Sequence, residues 1–274
     1  MECGYLGPEG SYSYLALKEA FPELEPVACS SFMEILEKLE NKSLAYGILP
    51  VENSTEGAVT SVMDSLLDLK EIVIQEEITY RIRHHLFNTT GQMSEVEYVI
   101  SHPQALEQCR GFLRKNYPHV KLINSESTSG ACHKAQQKGS KYAAVASMWA
   151  GKHNGLKVAC QDIQDNRFNQ TRFVLLGRGE KQPTGTDKTS IAFSFQHDQP
   201  GSLYKILKIF ADYEINLSRI ESRPAKQELG QYIFFIDFYG HQEEEPIPGI
   251  LEVLREKTRK LYIFGSFPRS EKPL

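Results

Sequence analysis

The sequence predicts an α/β protein in two unequal parts, on two observations. Over about the first 180 residues, short apolar runs alternate with segments of helical spacing. That order places helices over largely parallel sheets. After a polar Gly/Pro-rich stretch at 179–188, the pattern becomes a compact βαββαβ unit, the ferredoxin-like order. A length of 274 residues, at ~100–200 per domain, accommodates both parts.

The elements follow in order. Ser31-Phe32-Met33-Glu34 has the residues of a capping box, and Phe32, Ile35, Leu36 and Leu39 then mark one helix face. Residues 44–49 form a short apolar strand that ends at Pro50-Val51-Glu52-Asn53-Ser54. Val59, Val62, Met63 and Leu66 repeat the helical spacing. Residues 96–100 read as a strand, and Pro103 suits the first turn of the helix after it. Further strands are expected at 120–123, 142–146 and 173–176. In the second part Ile191, Phe193 and Phe195 alternate as a strand, and Pro200-Gly201 opens a helix with Leu203, Ile206, Leu207 and Phe210 on one face. Strands at 215–222 and 232–239, separated by 226–230, a helix carrying Ile250, Leu251, Val253 and Leu254, and a strand at 261–267 complete the unit. Such a sheet leaves one face and one edge open, which favours dimerisation.

Composition excludes several classes. A formal charge of −4 and a pI near 6.1 argue against nucleic-acid binding. No apolar run approaches the ~20 residues that cross a bilayer. The start, Met1-Glu2-Cys3-Gly4-Tyr5, shows no secretory pattern. Five cysteines without a C-x-x-C pair suit reduced thiols in a cytoplasmic protein. No G-x-S-x-G, H-E-x-x-H or spaced Cys/His metal set occurs. His84 and His85, adjacent on a strand, would point to opposite faces and make a poor metal pair.

Five stretches carry possible chemistry. Gly4-x-x-Gly7-x-x-Gly10-Ser11 is neither a dinucleotide fingerprint nor a P-loop; it is either a flexible turn or a set of N–H groups at a helix start that holds an anion. Glu52-Asn53-Ser54-Thr55-Glu56-Gly57 sits where a strand gives way to a helix, the place where open α/β sheets bind ligands. Ser101-His102-Pro103-Gln104 and Ser127-Thr128 hold the same position after later strands. Each alone is an ordinary N-cap, but three such loops point to a shared polar cleft. In Asn169-Gln170-Thr171-Arg172-Phe173, ahead of the last apolar strand of the first part, Arg172 offers a bidentate fork to a carboxylate and Thr171 a hydroxyl. The alternative is a strand entry with a surface arginine.

These loops, in this order, resemble the prephenate dehydratase family. The resemblance rests on Gly7-Pro8-Glu9-Gly10-Ser11-Tyr12-Ser13, Pro50-Val51-Glu52-Asn53-Ser54 with Gly57, and His84-x-Leu86. Ser101-His102-Pro103-Gln104-Ala105 with Cys109, Ser127-Thr128, and Asn169-x-Thr171-Arg172-Phe173 follow in family order. The C-terminal part resembles an ACT domain, with Glu221-Ser222-Arg223-Pro224 matching a motif linked to phenylalanine binding. A second effector motif, Gly-Ala-Leu-Val in many members, is here Gly201-Ser202-Leu203-Tyr204, ending in a larger and polar residue.

The resemblance implies a two-lobed catalytic domain like type II periplasmic binding proteins at 1–180 (lobes about 1–79 with 161–180, and 80–160), a linker at 181–188 and an ACT domain at 189–268. It implies conversion of prephenate to phenylpyruvate with loss of carbon dioxide and water, driven by aromatisation, with no cofactor and no metal. Arogenate as the substrate, or a non-catalytic amino-acid sensor, are the alternatives. The family pattern carries catalysis to Thr171, Glu52, Asn53, Ser101 and Gln104, and substrate contacts to Arg172, Phe173, Ser11, Ser54, Gly57, Ser127 and Thr128. It implies feedback by L-phenylalanine at an interface between ACT domains of a homodimer or homotetramer. Expected contacts are Asp198, Gln199, Pro200, Gly201, Ser202, Leu203 and Asn216, with Glu221, Ser222, Arg223 and Pro224 shaping the site. An N-terminal mutase module, as in bifunctional relatives, is not expected.

Overall fold

Three sheets organise the chain in the computed structural model, which describes residues 1–196, 199–225, 231–270 and 273–274. The first lobe runs β1 (Glu2–Leu6), α1 (Tyr12–Ala20), β2 (Glu25–Cys29), α2 (Phe32–Glu40), β3 (Tyr46–Asn53), β4 (Gly57–Ala58), α3 (Thr60–Leu66) and β5 (Ile72–Arg81). The second lobe is β6 (His85–Asn88), β7 (Tyr98–Ser101), α4 (Pro103–Gln108), α5 (Arg110–Asn116), β8 (Lys121–Asn124), α6 (Thr128–Lys138), β9 (Tyr142–Ala146), α7 (Met148–His153) and β10 (Lys157–Cys160). The chain then returns to the first sheet as β11 (Gln170–Arg178). The last part is β12 (Asp187–Ser194), α8 (Ser202–Asp212), β13 (Leu217–Pro224), β14 (Tyr232–Tyr239), α9 (Ile247–Lys257) and β15 (Lys260–Pro268).

The first sheet has the order β2-β1-β3-β11-β5, with β4 beside β3, and the second β10-β6-β9-β7-β8. Both are mixed, where largely parallel sheets were expected. β1 pairs in parallel with β2 and β3, but β11 is antiparallel to both β3 and β5. The cause is the chain path. β5 leaves the first lobe at Arg81, and β11 re-enters at Gln170, directly opposite Arg81. A return at the point of departure, with no crossover helix, must run backwards.

Two boundaries differ from the sequence reading and matter for the site. β3 does not end at Pro50 but continues to Asn53. The ladder to β11 pairs Phe173 with Pro50 and Arg172 with Glu52, so Val51 is an extra, bulged residue. A bulge tolerates the proline, which has no N–H to give the ladder. Likewise β11 begins at Gln170, so Thr171 and Arg172 lie within the strand rather than ahead of it. At α2, the Ser31 hydroxyl accepts the Glu34 N–H at 3.1 Å, while the Glu34 carboxylate takes the N–H of Ser30 at 2.7 Å, one residue earlier than a capping box places it.

The C-terminal sheet is antiparallel, in the order β13-β14-β12-β15. Helices α8 and α9 cover one face over Ile191, Phe193, Ile236 and Phe238. The other face is not open. Ala192, Phe235, Phe264 and Phe267 pack on Leu49, Met63, Val174 and Leu176 of the first lobe. Burying apolar side chains, at about 1.5–3 kcal/mol each, covers this face within one chain. β13 remains an outer strand, with Ile220 45% exposed.

Candidate active site

Adjacent strands set the site. On β3 and β11, Asn53 stands opposite Thr171 and Glu52 opposite Arg172. Successive strand side chains point to opposite faces, so the two cross-strand pairs point opposite ways. Asn53 and Thr171 face a cleft of about 530 Å³ between the lobes. Glu52 and Arg172 face the C-terminal sheet.

Asn53 is held on all sides. Its Oδ1 accepts the N–H groups of Thr55 (2.9 Å) and Glu56 (3.2 Å) and the Thr55 hydroxyl (2.5 Å). Those donors fix the amide orientation, so Nδ2 must donate, and it reaches Asn169 Oδ1 at 3.0 Å and Thr171 Oγ1 at 2.9 Å. The Thr171 oxygen is thus an acceptor within the protein. Among the described residues its proton has no acceptor, which leaves it to donate into the cleft.

A second tier supports this pair. Asn169 Nδ2 donates to Gln108 Oε1 at 2.8 Å, and Gln108 Nε2 donates to Glu56 Oε1 at 3.0 Å. His84 Nε2 also meets Gln108 Oε1, at 2.9 Å, and its Nδ1 lies 3.2 Å from the Tyr12 hydroxyl. A carbonyl only accepts, so Nε2 carries the proton. Burial pulls the His84 pKa down to about 4; the Gln108 bond opposes this and neighbouring His85 adds to it. The imidazole is therefore neutral near pH 7.

Gln104, Gly57, Phe173 and Ser11 line the same cleft, as do Ser127 and Thr128 from the second lobe. Ser11 caps α1, accepting from the Tyr14 N–H at 3.3 Å, and Ser127 caps α6, accepting from the Gly130 N–H at 2.9 Å. Two helix N-termini, each a partial positive charge, therefore open on the cleft. No lysine or arginine among the described residues lines it.

Four expected site residues lie elsewhere. Ser101 is fully buried and donates to the Val145 carbonyl at 2.6 Å. Ser54 donates to the Phe168 carbonyl at 3.1 Å and accepts the Gln170 N–H at 2.9 Å, stitching the crossover between lobes. Arg172 is not a cleft residue: Glu52 (3.2 Å), Glu77 (3.3 Å) and Asp237 (2.8 Å) surround its guanidinium. Burial opposes its charge, but those three carboxylates raise its pKa above the usual arginine value. Glu52 is engaged by Arg172, with Arg219 at 3.9 Å, and does not line the cleft. The β alternation applied to His84 and His85 gives the reason in both cases.

Gln108, His84, Asn169 and Glu56 were not assigned to the site from sequence. For Gln108 a signal existed: it follows Gln104 by four, which puts both on one face of α4.

In the C-terminal domain, Gly201 caps α8 with φ +88°, and the Ser202 hydroxyl accepts the Gln199 N–H at 3.0 Å next to Pro200 and Leu203. The Asn216 carbonyl accepts from the Tyr239 N–H at 3.1 Å. Glu221, Ser222, Arg223 and Pro224 lie on β13, where Arg223 pairs with Asp64 of α3 at 3.1 Å. Asp198 lies outside the described residues.

A two-lobed α/β domain with a polar cleft between the lobes, carrying a βαββαβ domain on its back, is the build of a protein that takes a small molecule between its lobes. The prephenate dehydratase family model matches residues 3–181, and the ACT domain model residues 189–256. The chain is 40% identical to the bifunctional chorismate mutase/prephenate dehydratase of Aquifex aeolicus, over 98% of its own length and 74% of that protein. It is 38% identical to the prephenate dehydratase of Methanocaldococcus jannaschii, over 96% and 97%. The prephenate dehydratase of Arthrobacter aurescens, solved in complex with L-Phe, superposes with a TM-score of 0.90 at 29% identity, over 100% of this chain and 92% of that one. The chain belongs to the prephenate dehydratase family. It is a lyase, a dehydratase with decarboxylation. No helix among the described residues is long and apolar enough to cross a membrane.

Proposed function

We propose that Thr171 donates its hydroxyl hydrogen bond to the departing C4 hydroxyl of prephenate. The bond from the ring to its carboxylate breaks and its electron pair enters the ring. The C4–O bond breaks, and the leaving hydroxide takes a proton to become water, yielding phenylpyruvate and carbon dioxide. Threonine is a very weak acid, so its part is to stabilise charge on the leaving oxygen, with the proton drawn finally from solvent. The observation that carries this is the Asn53 Nδ2 bond to Thr171 Oγ1 at 2.9 Å, which turns the hydroxyl proton away from the protein. The N-termini of α1 and α6 suit the pyruvyl carboxylate, a role the sequence reading gave to Arg172. The ring carboxylate is best left without a tight cation, which would stabilise the ground state more than the charge-dispersed transition state.

Turnover of purified protein with prephenate or arogenate, followed by product absorbance, tests this. Thr171→Ala is expected to lower kcat by about 10²–10³, with Thr171→Ser retaining most of it. Near-normal kcat in the alanine variant sinks the assignment. L-Phenylalanine is the proposed feedback effector, acting at paired ACT domains of a homodimer or homotetramer in the cytoplasm around 199–203 and Asn216. The L-Phe complex of the Arthrobacter relative supports it. Equilibrium dialysis without phenylalanine binding removes it.

A further inference from the structure

Behind the Asn53–Thr171 pair lies a cluster of six charges drawn from both domains, five of them largely buried and the sixth, Glu52, with a side chain 41% exposed. Glu52, Glu77 and Asp237 supply three negative charges, and Arg172, Arg219 and Lys188 three positive ones. Arg172 joins all three carboxylates, and Lys188 holds Glu77 at 2.7 Å. Asp237, on the central strand β14 of the ACT sheet, is 3% exposed. Its Oδ1 accepts from Ser190 Oγ at 2.5 Å, and its Oδ2 meets Arg172 Nη2 at 2.8 Å as an ion pair without an aligned hydrogen bond. Arg219 stands 3.9 Å from both Asp237 and Glu52.

Glu52 and Arg172 are the chain neighbours of Asn53 and Thr171, and the bulge at Val51 interrupts the β3–β11 ladder beside them. The β3–β11 ladder is thus interrupted next to the pairs that carry the cleft side chains, while β11 stays paired with β5 on its other side. A buried charge that loses its partner moves to find another or takes on water. At Arg172 or Glu52 such a movement displaces the adjacent cleft residue.

We propose that Asp237 of the ACT domain is a positioning residue for the dehydratase reaction: through Arg172 and Glu52 it holds Thr171 and Asn53 in their working geometry. The proposal rests on the reading of Thr171 given above. It makes the docked ACT sheet part of the construction of the cleft, in addition to any effector it binds. Misplacement of a reacting group by about 1 Å costs up to ~10²-fold in rate, whereas substrate contacts on the second lobe are untouched.

The test is steady-state kinetics on the full chain without effector, with Tm measured alongside. Asp237→Asn is expected to lower kcat about 10–100-fold with KM changed less than ~3-fold. Asp237→Glu, which restores the charge, is expected to recover a substantial part of kcat. Ser190→Ala, which frees Asp237 Oδ1, is expected to lower kcat less and in the same direction, and it carries the test if Asp237→Asn does not fold. Asp64→Asn, which weakens an interdomain ion pair not attached to β3 or β11, is expected to leave kcat within ~2-fold. An unchanged kcat in folded Asp237→Asn, or an equal loss in Asp64→Asn, overturns the proposal. If Thr171→Ala is inactive while Asp237→Asn is fully active, only the positioning role fails; if Thr171→Ala is active, both readings fail.

Discussion

Lowering the pH from 7.5 to 5 is expected to destabilise this protein measurably through His84. Its imidazole is 2% exposed, wedged between Gln108 and Tyr12 at the floor of the cleft. Burial pulls its pKa from an ordinary 6.5 down to about 4. Between those values the unfolded chain binds a proton that the folded chain refuses, so stability falls as pH drops through this window. At about 1.4 kcal/mol per pH unit the full window is on the order of 3 kcal/mol, of which about 2 is lost by pH 5. Urea unfolding at both pH values reads this directly, with His84→Gln as comparator, since glutamine can donate to Gln108 and does not titrate. All groups other than residue 84 are common to both proteins, so the difference isolates His84. Wild type is expected to lose about 2 kcal/mol more than the variant between pH 7.5 and 5. Equal losses refute the reasoning, because His84 would then titrate alike folded and unfolded.

Two further outcomes separate cleft residues from their neighbours. Arg172→Lys replaces a three-way fork with a point charge, and is expected to lower stability by about 1–3 kcal/mol, measured by urea unfolding, while KM for prephenate stays near wild type; a large rise in KM would return Arg172 to substrate binding. Ser101→Ala strips the bond to the Val145 carbonyl at 2.6 Å and is expected to cost about 1–3 kcal/mol of stability with kcat nearly unchanged; a kcat loss like that of Thr171→Ala would contradict its burial.

The amphipathic helices and apolar strands were legible because periodicity reports burial. Ile35, Leu36 and Leu39 face the core as their spacing requires, and β9 and β14 have the expected bounds. The two strands that build the site were read short, one at Pro50 and one at Phe173, because proline and polar residues look like strand ends. A bulge absorbs the proline, and cross-strand partners satisfy the polar residues. Once both strands are extended, alternation separates Asn53 from Glu52 and Thr171 from Arg172 without further information. What no local pattern carries is the partner. Arg172 meets Asp237 across 65 positions of sequence, and Gln108 meets Asn169 across 61. The covered face of the ACT sheet is missed for the same reason: Phe235 and Phe264 fit equally well against a second copy or the lobe beside them.

The charge arithmetic takes on a particular meaning from this geometry. A chain of net charge −4 that binds a dianion needs local positive potential, and a cationic side chain is the obvious supplier. Yet Glu56 and Glu126 line the cleft while Arg172, Arg219 and Lys188 are all engaged behind it. On the proposed reading, the backbone N–H groups at the starts of α1 and α6 supply the positive potential that attracts the substrate. Such donors are fixed in place and fractional in charge, so they orient a carboxylate without the deep well of an arginine fork. For a reaction whose barrier is the departure of a carboxylate and a hydroxide together, shallow ground-state binding is an advantage, since any group that grips the departing carboxylate must be overcome at the transition state. On the positioning role proposed above, the arginine serves this chemistry from the far face of β11, where its three carboxylates tie down the strand that carries Thr171.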